Sequence, residues 1–189
     1  MGKIFEFIAD HALEKTDEYY TECHVCGKSD VDLYPYQGQV ALENGEVDDD
    51  IYAVCCNCLQ SKPMAHTCSF QYKETIEKYV RSLNLPDPQA AELKIILIEQ
   101  YNHTPNISFF MQKPDIPLCC ESLTEFTGYP QNDEELYSIS ENYRYWEEEI
   151  KEKSEYYDFK TYGSPESLRE IAAFRCLHCG EKYFTFQFS

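Results

Sequence analysis

Basic residues are scarce in this chain. Lys and Arg total 16 against 34 Asp and Glu, a formal net charge of −18 over 189 residues. That field repels nucleic-acid backbone and anionic membrane surfaces, favours basic partners, and also serves solubility. Long apolar runs are missing too: nothing approaches the roughly 20 consecutive apolar residues of a spanning helix. Glu6 and Asp10 interrupt the N-terminal apolar residues, so no signal peptide is expected. Met1-Gly2 is followed by Glu6 where a myristoylation signal needs Ser or Thr. The expected compartment is the cytoplasm. Tryptophan occurs once, but 16 Tyr, 11 Phe and a 43% hydrophobic content describe a globular chain with a packed core.

Cysteine is abundant, with ten residues. In a reducing compartment disulfides are rare, and Cys-x-x-Cys pairs more often hold metal or do redox chemistry. Three such pairs occur: Cys23/Cys26, Cys55/Cys58 and Cys176/Cys179. Two thiolates two residues apart can grip one ion, and zinc takes four such ligands. Gly27 and Gly180 follow their pairs and tolerate the positive φ that turns backbone N–H groups toward the sulfurs. The first two pairs flank Tyr-rich strand sequence and make one four-cysteine site, Cys23, Cys26, Cys55 and Cys58. A thioredoxin-like redox pair would want a single reactive pair opening a helix, and two matched pairs argue against it.

Cys176 and Cys179 then need partners. Cys119 and Cys120 are the candidates for a second, less firmly specified site. Adjacent side chains diverge, so Cys120 is the better single ligand, with Cys119 or His103 completing the set. A free, reduced pair in a turn is the alternative. His24 and His178 lie between ligands and are expected to face solvent. His66 with Cys68 offers one more ligand group, though free Cys is usually a small buried hydrophobe.

The coarse reading is α+β, with zinc-ribbon-like Cys knuckles on a small antiparallel sheet and a helical insertion. Residues 3–8 suit a short edge strand. A strand or hairpin arm runs from Val31 to Val40, an acidic loop over 43–50 turns at Asn44-Gly45, and Ile51–Val54 delivers the second pair. Helices are predicted over 71–85 and from Pro88 onward. Residues 101–130 mix polar, aromatic and cysteine residues on proline-broken backbone, where sites tend to lie. Over 132–160, Leu136, Ile139, Tyr143, Trp146 and Ile150 recur at helical spacing, with Asn132 and Glu135 as a capping pair. That helix holds ten acidic residues. Strands at 171–175 and 184–188 flank the last knuckle.

Taken together these motifs carry a resemblance. Cys23-x-x-Cys26-Gly27-Lys28, the Tyr-rich strand, Cys55-x-x-Cys58, Thr104-Pro105, Gln112, Pro117, Cys120 and Glu125-Phe126-x-Gly128-x-Pro130 resemble the CbrC family, as does the close from Gly163-Ser164-Pro165 to Phe174-Arg175-Cys176-Leu177-His178-Cys179-Gly180. The match covers most of 19–130 and 163–189. This chain has Cys55-Cys56-Asn57-Cys58 where the family has Cys-Pro-Trp-Cys, and Cys119-Cys120 where it has His-Cys. The 43–50 insert and much of 132–160 look like local additions. The resemblance implies a single CbrC-like domain over 1–189. Its parts are a zinc-ribbon-like part (19–68), a helical part (70–100), a motif loop (101–130), an acidic helix (132–160) and a C-terminal knuckle and strand (163–189). It also implies a bacterial protein concerned with tolerance to a colicin, and it supplies no catalytic residues.

The functional expectation is a non-enzymatic protein holding one or two zinc ions. Its acidic face, Asp48, Asp49, Asp50, Glu147 and Glu148, would meet a basic protein such as a nuclease toxin. A nucleic-acid-binding ribbon would need a basic stripe, and only Lys28, Lys62, Arg175 and Lys182 lie near the knuckles. An enzyme using His103 and Cys120 in 101–130 would need an orienting third residue that spacing does not reveal. The C-terminal strand is expected to dock beside Thr104–Pro130.

Overall fold

The computed structural model describes residues 2–42, 44–67, 71–107, 116–146 and 159–186. Helix and strand are mixed, and the sheets are small and mostly antiparallel. Strands β1 (Leu33–Ala41) and β2 (Val47–Cys55) form a hairpin that pairs Leu33 with Cys55 and Ala41 with Val47. Its turn closes through Leu42 and Glu46, with Gly45 at φ 85°. Asp48–Asp50 therefore lie on a strand, not in a loop, because alternating Ile51 and Ala53 bury one face and carry the pairing outward to Val47. Helix α1 (Cys56–Ser61) leads to β3 (Met64–His66), which pairs with the other edge of β1.

Helices α2 (Gln71–Ser82) and α3 (Asp87–Asn102) pack as a hairpin, tied by Lys94 of α3, 2.8 Å from Glu77 of α2, which Arg81 of the same helix also pairs at 2.8 Å. Pro88 sits at the start of α3, where its missing N–H costs nothing. A two-strand ribbon of β4 (Leu118–Cys119) and β5 (Ser122–Leu123) follows. The second sheet has the order β6 (Glu125–Gly128), β8 (Ile171–Arg175), β9 (Lys182–Phe186), β7 (Arg144–Tyr145). Pairing of Phe126 with Phe174 docks the C-terminal hairpin beside β6, at the end of the 104–130 stretch; residues 108–115 of that stretch lie outside the described residues.

Two further expected elements differ. Residues 3–8 form a tight turn in which Phe5, Phe7 and Ile8 are all buried, a pattern that an alternating edge strand cannot supply. The acidic helix also stops early. Helix α4 spans Asp133–Asn142, capped by the Asn132 side chain accepting from Glu135 N at 2.9 Å. Tyr143 is extended, and Arg144-Tyr145 join β9 in parallel. Tyr145 and Trp146 enter the core from strand-like backbone, where adjacent aromatic residues reach both faces of the sheet edge. Ile150, Glu147 and Glu148 fall outside the described residues. Helix α5 (Phe159–Tyr162) returns the chain to a small core of Leu136, Ile139, Ile171 and Phe184. The larger core joins the N-terminal turn, the first sheet, α2 and α3.

Candidate metal centres

The first centre gathers Cys23, Cys26, Cys55 and Cys58, whose sulfurs lie within 4.8 Å of one another. Cys23 and Cys26 come from a loop turn closed by Cys23 N to Lys28 O at 2.9 Å and Gly27 N to Cys23 O at 2.7 Å. Gly27 takes φ 68°, which an L side chain would resist. Cys55 ends β2 and Cys58 lies on α1, so the hairpin returns the second pair to the first. Cys55 N donates to Cys23 Sγ at 3.3 Å. Burial works against the Cys23 thiolate, but backbone N–H groups of Cys55, Cys26 and Val25 aimed at the sulfur outweigh it and lower the pKa to about 7. Burial raises the pKa of Cys55 and of Cys58.

The second centre gathers Cys119, Cys120, Cys176 and Cys179, again within 4.8 Å. Its C-terminal half repeats the first knuckle: Cys176 N to Glu181 O is 2.8 Å, Gly180 N to Cys176 O is 3.0 Å, and Gly180 takes φ 77°. Its other half is the β4–β5 turn. Cys120 (φ 50°) and Glu121 (φ 62°) are its central residues, the two positive values of a type I′ hairpin. The chain reverses at Cys120, so its sulfur returns toward that of Cys119, 3.8 Å away, instead of pointing to the opposite face. Cys119 Sγ is 3.6 Å from Cys179 Sγ and accepts from Tyr183 Oη at 3.4 Å. At Cys176, burial is again outweighed by backbone N–H groups, those of Cys179 and His178, and the pKa falls. Burial raises that of Cys119.

These spacings fit a shared ion. Zinc at about 2.3 Å from each sulfur sets tetrahedral sulfur separations of roughly 3.8 Å. The closest Cys26–Cys55 approach is 3.9 Å, and disulfide sulfurs stand only about 2 Å apart. In each centre the pKa of one thiol is lowered while others are raised, so taking up a metal would release protons.

The remaining candidates are placed elsewhere. His103 contacts Leu59 O and lies 3.1 Å from Glu99, outside both thiol groups. His66 is a core histidine: Nε2 donates to Thr104 O at 2.9 Å, and its ring lies 4.2 Å from that of Tyr36. Burial lowers its pKa to about 4. Its expected partner Cys68 lies outside the described residues. Cys56 points to Ile4 O at 4.0 Å. His178 is exposed, as expected for a residue between ligands. His24 is not: Tyr52 N donates to its Nδ1 at 3.3 Å, its own N donates to Ala53 O at 2.9 Å, and its ring stands between Tyr20 and Tyr52. The knuckle thereby covers the open edge of β2. Among the described residues, no helix is long and apolar enough to cross a membrane.

No match to this chain is found among curated proteins or solved structures. Residues 8–188 match the sequence model of the uncharacterised protein family UPF0167, and the chain belongs to that family.

Proposed function

We propose that this chain is a CbrC-type zinc protein with two structural four-thiolate sites, Cys23/Cys26/Cys55/Cys58 and Cys119/Cys120/Cys176/Cys179, and that it binds a basic protein partner. The observation that carries the metal half is the convergence of eight cysteine sulfurs into two compact groups of four. Soft thiolates select zinc over hard cations, and four of them leave no open position for a catalytic water. Zinc supplies cross-links there; the surrounding residues turn N–H groups toward the sulfurs and keep water from the buried ones.

The partner half rests on charge. A net −18 and the exposed carboxylates of Asp49 and Asp50 beside Asp48 suit a basic surface such as that of a nuclease toxin. That fits the tolerance role the CbrC resemblance implies. The test has two arms. Protein purified without added zinc is analysed for metal, with two zinc ions per chain expected; a metal-free, fully folded protein overturns the first half. A purified basic nuclease domain is titrated at low and high salt, with tight, salt-sensitive binding expected. Binding and nuclease activity both unaffected at low salt overturn the second half.

A further inference from the structure

Helix α3 is apolar on more than one face. Leu93 and Leu97 are buried, while Ile95 and Ile96 on the same helix remain 62% and 45% exposed. Exposed adjacent isoleucines are no accident of coverage when a groove lies beside them. One does: about 460 Å³, with Ile95 and Ile96 on one wall and Phe5 and Phe7 of the N-terminal turn on the other. The turn is fixed to α1 by Gln60 Nε2 donating to Ile4 O at 2.9 Å, and α1 carries Cys58. The groove is therefore held open by packed, tethered elements. Its charged wall residues are the carboxylates Glu6 and Glu99, the latter beside His103.

We propose that this groove docks a short segment of a partner protein in which apolar side chains are flanked by Lys or Arg. This rests on the basic-partner reading above and adds where and how the partner is anchored. Ile95 and Ile96 take the apolar side chains against a groove backed by the buried Phe5 and Phe7; Glu6 and Glu99 select their cationic neighbours. The net charge of −18 supports that occupant and opposes a second copy of this chain, whose like charge would repel it. A hydrophobic anchor within a complementary rim supplies lifetime as well as fast encounter, which the acidic strand alone does not.

The experiment titrates the full-length, metal-loaded protein at low salt with a synthetic peptide of leucines flanked by lysines. Controls are a lysine-only peptide and one with glutamate in place of lysine. The leucine–lysine peptide should bind roughly ten-fold or more tighter than either control, and Ile95→Gln/Ile96→Gln should weaken it by about the same factor. Both isoleucines are exposed, so this variant should melt with the parent; amide shifts on the unaltered protein, confined to α3 and residues 5–7, give a second readout. Glu6→Gln/Glu99→Gln should weaken binding a few-fold and flatten its salt dependence. Equal binding of the lysine-only peptide, or indifference to the isoleucine changes, overturns the groove and leaves the basic-partner reading standing. No binding by any basic peptide overturns the groove and counts against that reading as well. Concentration-dependent dimerisation abolished by the isoleucine changes assigns the groove to a second copy and also overturns the proposal.

Discussion

His66 shows how a single residue type divides between ligand and core. A buried imidazole whose Nε2–H meets the Thr104 carbonyl, and whose backbone N meets Asn102 Oδ1 at 3.2 Å, is satisfied while neutral. Charging it inside that cluster of Tyr36, Tyr72 and Tyr101 is unfavourable. With a folded pKa of about 4 against an ordinary value of 6.5, the unfolded chain binds the proton first as pH falls. The stabilisation is thus complete above about pH 6.5 and lost between there and about 4, at roughly 1.4 kcal/mol per pH unit and about 3 kcal/mol in all. Denaturant titrations of the protein and of His66→Gln from pH 7 to 4 should differ in slope by about one proton; parallel curves would remove His66 from this role. Acid loss of metal is common to both proteins and cancels in the comparison. Cysteines divide in the same way. Cys56→Ser should leave metal content unchanged and shift stability by about 1 kcal/mol at most, because its sulfur faces Ile4 O. Cys55→Ser, one residue away, should lose an equivalent of metal.

At the scale of elements, the turn between β4 and β5 is the least expected. It is built on Cys120 and Glu121, both at positive φ without glycine, at a cost of about 1 kcal/mol each. Glu121 is exposed, and its described backbone bond, N to Tyr79 Oη at 3.0 Å, survives truncation. Glu121→Gly should therefore stabilise by about 0.5–1 kcal/mol, and Glu121→Val should destabilise, both read from thermal melts of the metal-loaded protein. Nothing in Leu118-Cys-Cys-Glu-Ser-Leu123 announces a type I′ hairpin, which favours Asn-Gly, so the pairing of both adjacent cysteines could not be read from spacing. The three Cys-x-x-Cys pairs were legible because their geometry is local, and Gly27 and Gly180 mark two of them. The hairpin between the first two pairs was legible for the same reason. Helix α4 was legible at its cap and not at its end. Tyr143 and Trp146 fit a helical stripe as well as they fit an aromatic strand, and pairing with β9, remote in sequence, decided for the strand. The β6–β8 pair carries a further ion pair that sequence does not expose: Arg175 lies 2.7 Å from Glu125, whose side chain is 1% exposed. Arg175→Leu removes a partner from a buried carboxylate and should cost about 2–3 kcal/mol in a denaturant melt.

Across the whole molecule, the two thiol groups gather different elements. The first joins a loop to the end of β2 and to α1 beneath the larger core; the second joins the β4–β5 ribbon to the β8–β9 hairpin. They differ in shelter. Only Cys26 of the first group is exposed, whereas Cys120 and Cys179 of the second are exposed and Cys119 is half-buried. A chelator reaches a metal by displacing accessible ligands, so metal held by the second group should leave first. The single tryptophan reports on it: Trp146 packs edge-on against Tyr183 at 5.7 Å, and the Tyr183 hydroxyl donates to Cys119 Sγ. Under excess chelator, release should occur in two phases of about one equivalent each. Trp146 fluorescence should change with the fast phase and hold nearly steady until the slow one, when the larger core loosens. Cys179→Ser should delete the fast phase alone, and Cys26→Ser the slow phase alone. A single release phase, or a tryptophan signal that follows the slow phase in the parent, would show that the two clamps act as one cooperative unit.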